Sequence, residues 1–464
     1  MRRKSRGGDA QTLDRDERRA TASLAAIFAL RMLGLFMILP VFSLHAESLE
    51  GVTPMLIGVA IGAYGLTQAV LQIPFGMLSD RFGRKPVITL GLLLFVIGSA
   101  VAASSESIHG IILGRALQGS GAIAAAVMAL IADLTREERR TQAMATIGMS
   151  IGISFAVSLV LGPMLANWIG LSGIFWMTAL LASIGIAVLH LLVPTPKTSK
   201  FHRESEAVPA QLGAALRNPE LLRLDFGIMI LHMILTALFV VMPLALRDRA
   251  GLASDYHWML YLGVMLLAFV AMVPFIIIAE RKRRMKGIFL GAIAAISVSQ
   301  FALSWLTSEL VAVALLLFLF FTAFNLLEAS LPSLVSKISP AASRGSSMGI
   351  YSTSQFLGAF LGGVVGGWSY GSYGVETTLM MGGVMALLWL LLASGMEQPR
   401  YLSSYLLRVE QLEADQAALL GDRLREVRGV AEASVDGEEG VAYLKVDSVE
   451  FDEAELREFS LAEA

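Results

Sequence analysis

The ten residues Gly76-Met-Leu-Ser-Asp80-Arg81-Phe-Gly83-Arg84-Lys85 decide the fold. They separate two apolar runs, 54–78 and 86–105, each long enough to cross a hydrocarbon core of about 30 Å. A connection this short needs a tight turn, which Gly83 supplies, while Gly76 lets a neighbouring helix come close. Arg81, Arg84 and Lys85 suit the anionic headgroups of a membrane surface. Asp80 is out of place among them unless it has a partner, and a helix N-terminus or a facing arginine would serve. A loop that only sets topology needs neither the acid nor the two glycines.

Working outward, the whole chain is built for lipid. Of its 464 residues 55% are hydrophobic and 16% charged, a composition no soluble domain has, and the mean hydropathy is +0.67. Apolar runs lie at 22–45, 54–78, 86–105, 109–133, 141–168, 172–193, 221–246, 257–279, 287–307, 310–336, 345–369 and 375–396. They are numbered here as spans 1 to 12. Being continuous, they do not read as the alternating strands of a barrel. There is no cysteine, which excludes disulfides, thiolate metal sites and cysteine nucleophiles. Neither a phosphate-binding loop nor a His-Glu-x-x-His pair is present. No cofactor, no metal and no catalysis are expected.

Five parts follow from this pattern: a charged tail 1–20, a six-span bundle 21–193, a polar linker 194–220, a second six-span bundle 221–398, and a soluble α+β domain 401–464. The two bundles repeat. Pro74, Phe75, Asp80, Arg81 and Arg84 recur as Pro274, Phe275, Glu280, Arg281 and Arg284, displaced by 200. Further on the displacement becomes 204 and pairs Arg140, Ser150, Gly162 and Gly170 with Arg344, Ser354, Gly366 and Gly374.

Lysine and arginine crowd the loops after even-numbered spans and avoid those after odd-numbered ones, apart from Arg247 and Arg249. That bias puts the basic face, the tail and both termini in the cytosol. Beyond Pro399, strands near 405–409, 430–435 and 441–446, helices near 414–427 and 452–459, and a hairpin turn at Asp436-Gly437 suggest a split β-α-β fold with its last strand short or missing.

With these residues the chain resembles the major facilitator superfamily, whose loop between spans 2 and 3 carries Gly-x-x-x-Asp-Arg-x-Gly-Arg-Lys. A second signature is present as Gly114-Arg115-Ala-Leu-Gln118-Gly119. The resemblance implies an all-α polytopic fold of two pseudo-symmetric bundles, a substrate site between them at mid-membrane, and alternating access. It also implies that Asp80 docks on the start of span 11, near Ser343 to Ser347, in the outward-open state. Gly76, Asp80, Arg81, Gly83, Arg84 and Lys85 are thus a conformational latch. A third signature, of drug/proton antiporters, is met only loosely by Ser158, Gly162 and Pro163, with Ala166 replacing its last glycine. Arg31 to Pro40, Asn325-Leu-Leu-Glu328 and the soluble domain resemble the YajR-type inner-membrane branch, whose appended domain is ferredoxin-like.

Polar groups inside spans are expensive and usually functional. Arg31 would pair with a carboxylate, line a cavity or snorkel. Arg115 would take part in proton coupling, as the resemblance implies, or make a packing hydrogen bond through Gln118. Glu328, with Asn325 one turn away, is a proton carrier or a static partner of an arginine in the other bundle. His232 is a cavity candidate, Asp225 a weaker one. Tyr64, Gln68 and Gln72 form one stripe and Tyr351 and Gln355 another, with Gln68 and Gln355 expected at the cavity.

The function expected is secondary active transport at the inner membrane, by a monomer, with protons driving export of small amphipathic or cationic compounds. The alternatives are a facilitator of a sugar or metabolite, and a sensor signalling through 401–464. The substrate, protons and the bilayer are the expected partners, with no nucleic acid. The acids Glu438, Glu439, Glu450, Asp452, Glu453 and Glu455 either dock on the basic loop Arg281 to Lys286 or form a solvated face.

Overall fold

The computed structural model describes residues 15–195, 212–213, 215–340, 344–397, 402–437, 440–447, 451 and 453–459. Among them ten helices are long and apolar enough to cross a membrane. Two of the ten are interrupted by a glycine in the left-handed region, Glu137–Leu191 at Gly170 with φ 65° and Arg344–Ser394 at Gly374 with φ 86°. Each therefore supplies two spans, which gives twelve. Gly170 and Gly374 are repeat partners, so both bundles turn their fifth span into their sixth at the same place. Only glycine takes that conformation without strain.

Span 1 is Arg15–Phe36, span 2 Pro54–Phe82, span 3 Arg84–Ala103, span 7 Pro219–Asp248, span 8 His257–Arg281, span 9 Met285–Leu306 and span 10 Leu310–Ile338. Two apolar runs read as single spans are broken. Span 1 leaves the helix after Phe36, because Pro40 ahead cannot continue it, and a four-residue helix Phe42–His45 follows. Its start lies earlier than the apolar run, with Asp16 and Glu17 at the positive end of the helix. Span 4 consists of Ile108–Ser120 and Ala124–Leu134, with Gly121 between them pressed against the Gly91 backbone.

The cores show how the bundles meet. One apolar cluster joins the second bundle to residues of the first that lie away from the basic face, such as Met37, Phe42, Ile57 and Phe155. The rest of the first bundle, including Leu24, Phe28, Ile88 and Val127, packs as a separate cluster. Where spans 2 and 11 cross, backbone touches backbone: a Cβ on Gly58 would lie 1.9 Å from the Gly363 carbonyl oxygen, and one on Gly367 would lie 2.5 Å from that of Pro54.

The C-terminal domain has strands β1 Leu402–Arg408, β2 Val430–Asp436 and β3 Val441–Asp447, with a helix Ala414–Glu426 between β1 and β2. The order is β1-β3-β2, antiparallel throughout, so β1 and β2 run parallel on either side of β3. This is the split β-α-β arrangement. Leu407, Leu424, Ala442, Leu444 and Val446 fill its core. The helix expected at 452–459 is a 3-10 turn, Glu453–Glu458.

Candidate functional site

The first bundle buries two guanidinium groups around one ring. Arg31 and Arg115 are both fully buried, and their guanidinium carbons stand 5.7 and 5.3 Å from the Tyr64 ring centre. Arg31 also faces Phe95 at 5.3 Å and donates through Nη2 to Gln68 Oε1 at 3.0 Å and the Gly121 carbonyl at 2.8 Å. Arg115 donates to Gln118 Oε1 at 2.9 Å, and Gln118 passes the chain on to Ser99 Oγ at 2.7 Å. Gln68 donates on to Gln72 at 3.3 Å.

Two expectations are corrected here, and for Arg115 one of the two alternatives is seen. Arg31 neither snorkels nor meets a carboxylate among the described residues; π-faces and carbonyls hold its charge. Gln68 is enclosed within the first bundle rather than lining a cavity, because Arg31 consumes its oxygen. Arg115 makes the packing bond through Gln118.

The second bundle carries the acids. Gln355 of span 11 donates through one amide nitrogen to Glu328 Oε1 of span 10 at 3.0 Å, and contacts His232 Nε2 of span 7 at 2.9 Å. His232 Nδ1 lies 3.3 Å from the Ile228 carbonyl, an acceptor, so Nδ1 carries the proton and Nε2 accepts from Gln355. Glu328 Oε2 is 3.9 Å from His232 Nε2. An arginine from the other bundle, the expected static partner, does not reach Glu328 among the described residues; Gln355 and His232 take that place. Asn325 Nδ2, Asp225 Oδ1 and the Tyr351 hydroxyl are buried with no hydrogen-bond partner among the described residues. Such groups give the region polar capacity that a ligand can use.

Above this cluster, away from the basic face, aromatic rings of both bundles close a ceiling. Phe155 meets Phe36 edge-on at 5.1 Å within the first bundle, and lies tilted against Phe324 at 5.7 Å and Phe321 at 6.3 Å across the seam. Phe356, next to Gln355, meets Tyr64 at 6.1 Å. Beyond the ceiling Ser43 donates to the Phe239 carbonyl at 3.1 Å, and Arg247 pairs with Glu47. All these links between bundles lie at the ceiling or beyond it, and the Glu328 side chain keeps 34% of its exposure. The site is therefore shut on the far side.

The loop between spans 2 and 3 is more internal than its charges suggest. Gly83, with φ 92°, makes the turn, and Gly76 lies against Ala125. Arg84 is buried, pairs with Asp80, and reaches Ser79 Oγ at 3.0 Å and Asp133 Oδ2 at 3.3 Å. Lys85 donates to the Val193 carbonyl at 2.6 Å. Only Arg81 of these cations is exposed, over the Phe82 ring. The reading of all three as headgroup contacts is thus corrected. Asp80 has a facing arginine as partner, and its side chain remains 33% exposed; of its other proposed seat, Ser343 lies outside the described residues.

A displacement of 204 carries Asp133 to Lys337. There Lys337 Nζ meets Glu280, the repeat partner of Asp80, at 3.0 Å. In both bundles the acid at this joint holds a cation, Arg84 beside Asp80 and Lys337 beside Glu280, and only the position of Asp133 and Lys337 changes sign.

The Major Facilitator Superfamily profile matches residues 24–363. The chain belongs to the major facilitator superfamily. Among the members it is similar to is the inner membrane transport protein YajR of Escherichia coli strain K12, 51% identical over 435 residues, 93% of this chain and 95% of that protein. The multidrug resistance protein MdtH of Aeromonas salmonicida is 26% identical over 349 residues, 74% of this chain and 86% of that one. A crystal structure of a bacterial homologue of the human lysosomal transporter Spinster, inward-facing and occupied, superposes with a TM-score of 0.69 at 13% identity, over 83% of this chain and 98% of that one. As a superfamily member the chain is a multi-pass transporter related to inner-membrane proteins.

Sequence reading missed the ceiling and Asp133. Phe320, Phe321 and Phe324 are spaced for one helix face, and the 204 displacement would have pointed to Asp133.

Proposed function

We propose that the chain is a proton-coupled exporter of small amphipathic or cationic compounds, working as a monomer in the inner membrane. The observation that carries this reading is Glu328, an acid inside a span whose side chain is partly exposed and whose Oε2 is buried without a hydrogen-bond partner among the described residues, lying beneath an aromatic ceiling built from both bundles. A carboxylate beside π-faces attracts a lipophilic cation, each face adding about 0.5–2 kcal/mol. The likeness to a multidrug resistance protein supports the same substrate class.

Proton coupling rests on Gln355. One amide serves both Glu328 and His232, so a proton on His232 Nε2 removes an acceptor from Gln355, a proton on Glu328 weakens the other bond, and either changes how span 11 is held. Protonated Glu328 also loses its attraction for a cation. The lysine and arginine bias of the loops supports a cytosolic basic face and cytosolic termini, which makes the arrangement described here inward-open. Asp80 then latches the opposite, outward-open arrangement on the start of span 11.

Purified protein in proteoliposomes tests the reading with tetraphenylphosphonium as the probe. Accumulation should follow an imposed pH gradient and be lost in Glu328→Gln. Flux indifferent to the gradient would make the protein a facilitator.

A further inference from the structure

The two faces of the C-terminal sheet differ. Along β3, Ala442, Leu444 and Val446 point into the domain's own core, under the helix Ala414–Glu426. Lys445 and Asp447 therefore point the other way, with Lys445 opposite Ser404 of β1 and Glu432 of β2. In a free domain of this shape that face meets water, and a lysine in its central strand would be exposed. Here Lys445 is 3% exposed.

What covers it is the end of span 10. Lys445 Nζ donates to the carbonyl of Lys337 at 2.8 Å and to that of Ser339, the last turn and cap of Leu310–Ile338. Carbonyls at a helix C-terminus lack intrahelical partners and carry the negative end of the helix dipole, so a cation is the complement they call for. Burial pushes the Lys445 ammonium below the ordinary lysine range, and Glu432, at 3.7 Å, acts against that shift. A second contact lies beside it, Arg283 of the loop between spans 8 and 9 to Asp447 at 3.9 Å. Of the acids expected to dock there, Glu438, Glu439, Glu450 and Asp452 lie outside the described residues and Glu455 is exposed; Asp447, not among those expected, meets the loop. Lys337 in turn holds Glu280 at the end of span 8.

We propose that the C-terminal domain is a regulatory clamp on the second bundle: Lys445 seats on the end of span 10 and, while seated, biases the balance between the two access states. The lever is the position of the seat. Span 10 carries Glu328, and the link leaving Ser339 leads into span 11, which carries Gln355 and whose start is the proposed seat of Asp80. A domain fixed to that link travels with the second bundle and constrains the place where the first bundle must dock. The clamp goes beyond the proton reading, and its test needs neither substrate nor gradient.

The absence of native cysteine makes the test clean. In the full chain, Arg283→Cys with Asp447→Cys and a short bismaleimide reads docking directly. Spin labels on Gln142→Cys and Lys282→Cys, exposed on the basic face of each bundle, read the separation of the bundles there. Lys445→Met should lower cross-linking at least fivefold and change the ratio of short to long separations at least twofold. Lys445→Arg, which keeps a cationic donor, should restore both in part, separating a lost clamp from a damaged domain. Undiminished cross-linking in Lys445→Met and Lys445→Glu would overturn the clamp. Lost cross-linking with an unaltered separation profile would overturn its control of access. Failure of the proton reading, flux blind to a pH gradient, would leave both readouts where they are.

Discussion

Arg247, at the end of span 7, reaches across the seam and holds Glu47 of the first bundle through both Nη atoms, at 2.8 and 3.1 Å. The same guanidinium holds Asp248 through Nε at 2.6 Å. Its neighbour Arg249 pairs with Glu376. The two arginines that break the charge pattern of the far-side loops are thus each neutralised by acids. Because the Glu47 pair joins the bundles, it exists only while the far side is shut. Half-exposed pairs contribute at most about 1 kcal/mol, roughly fivefold in a two-state ratio. Arg247→Gln should shift the ratio toward far-side-open by up to about fivefold, and less at high salt, as read by distances between spin labels on the far face.

The crossing of spans 2 and 11 makes a stronger prediction. Gly58→Ala places a methyl group 1.9 Å from a backbone oxygen that cannot step aside. Overpacking of this kind costs about 1–3 kcal/mol, so the far side should open at least about fivefold more often. Ser43→Cys, buried on the far-side seam, would report this as faster labelling by an impermeant maleimide in Gly58→Ala. Equal labelling rates would show that the crossing does not close the site.

Tyr64 separates a ring from a hydroxyl. Its hydroxyl has no hydrogen-bond partner among the described residues, whereas its ring serves two guanidinium groups. Tyr64→Phe should melt within a few degrees of the native protein. Tyr64→Leu should lose about 1–4 kcal/mol, from two desolvated cation–π contacts of about 0.5–2 kcal/mol each. Thermal unfolding in detergent distinguishes them, and equal losses would refute the ring's role.

Gln355 is the donor shared by Glu328 and His232. Gln355→Leu leaves Glu328 Oε1 and His232 Nε2 without it, at a cost of about 1–3 kcal/mol. Gradient-driven flux should fall at least tenfold while the passive binding of tetraphenylphosphonium, measured without a gradient, changes little. A parallel loss of both would reduce Gln355 to a packing residue.

The membrane fold was legible because hydropathy is a one-dimensional property. Each span announces itself by length, and the basic loop after span 2 marks the joint. Breaks were harder. Pro40 and Gly121 stand inside apolar runs, and their effect depends on whether a neighbour tolerates the bend. The β-hairpin was readable near Asp436-Gly437, but not its turn: Asp436 still pairs with Val441, and the left-handed glycine of the connection is Gly440, with φ 66°. Pairing inside the bundles was not readable, since a buried group's partner is set by how each helix is rotated about its axis. Arg31 illustrates this: nothing in its neighbourhood along the chain points to Tyr64 or Phe95. The partner of His232 was hidden for the same reason, lying 123 residues away on span 11.

The bare contact at Gly58 and Gly363 bears on the cost of opening. A door faced with leucine or phenylalanine wets a large greasy area whenever it swings, at about 1.5–3 kcal/mol for every such side chain. Surfaces with no side chains have almost nothing to wet. They shut by fitting and part without adhesion, so what opening must wet is left to the aromatic ceiling and the apolar seam beside it.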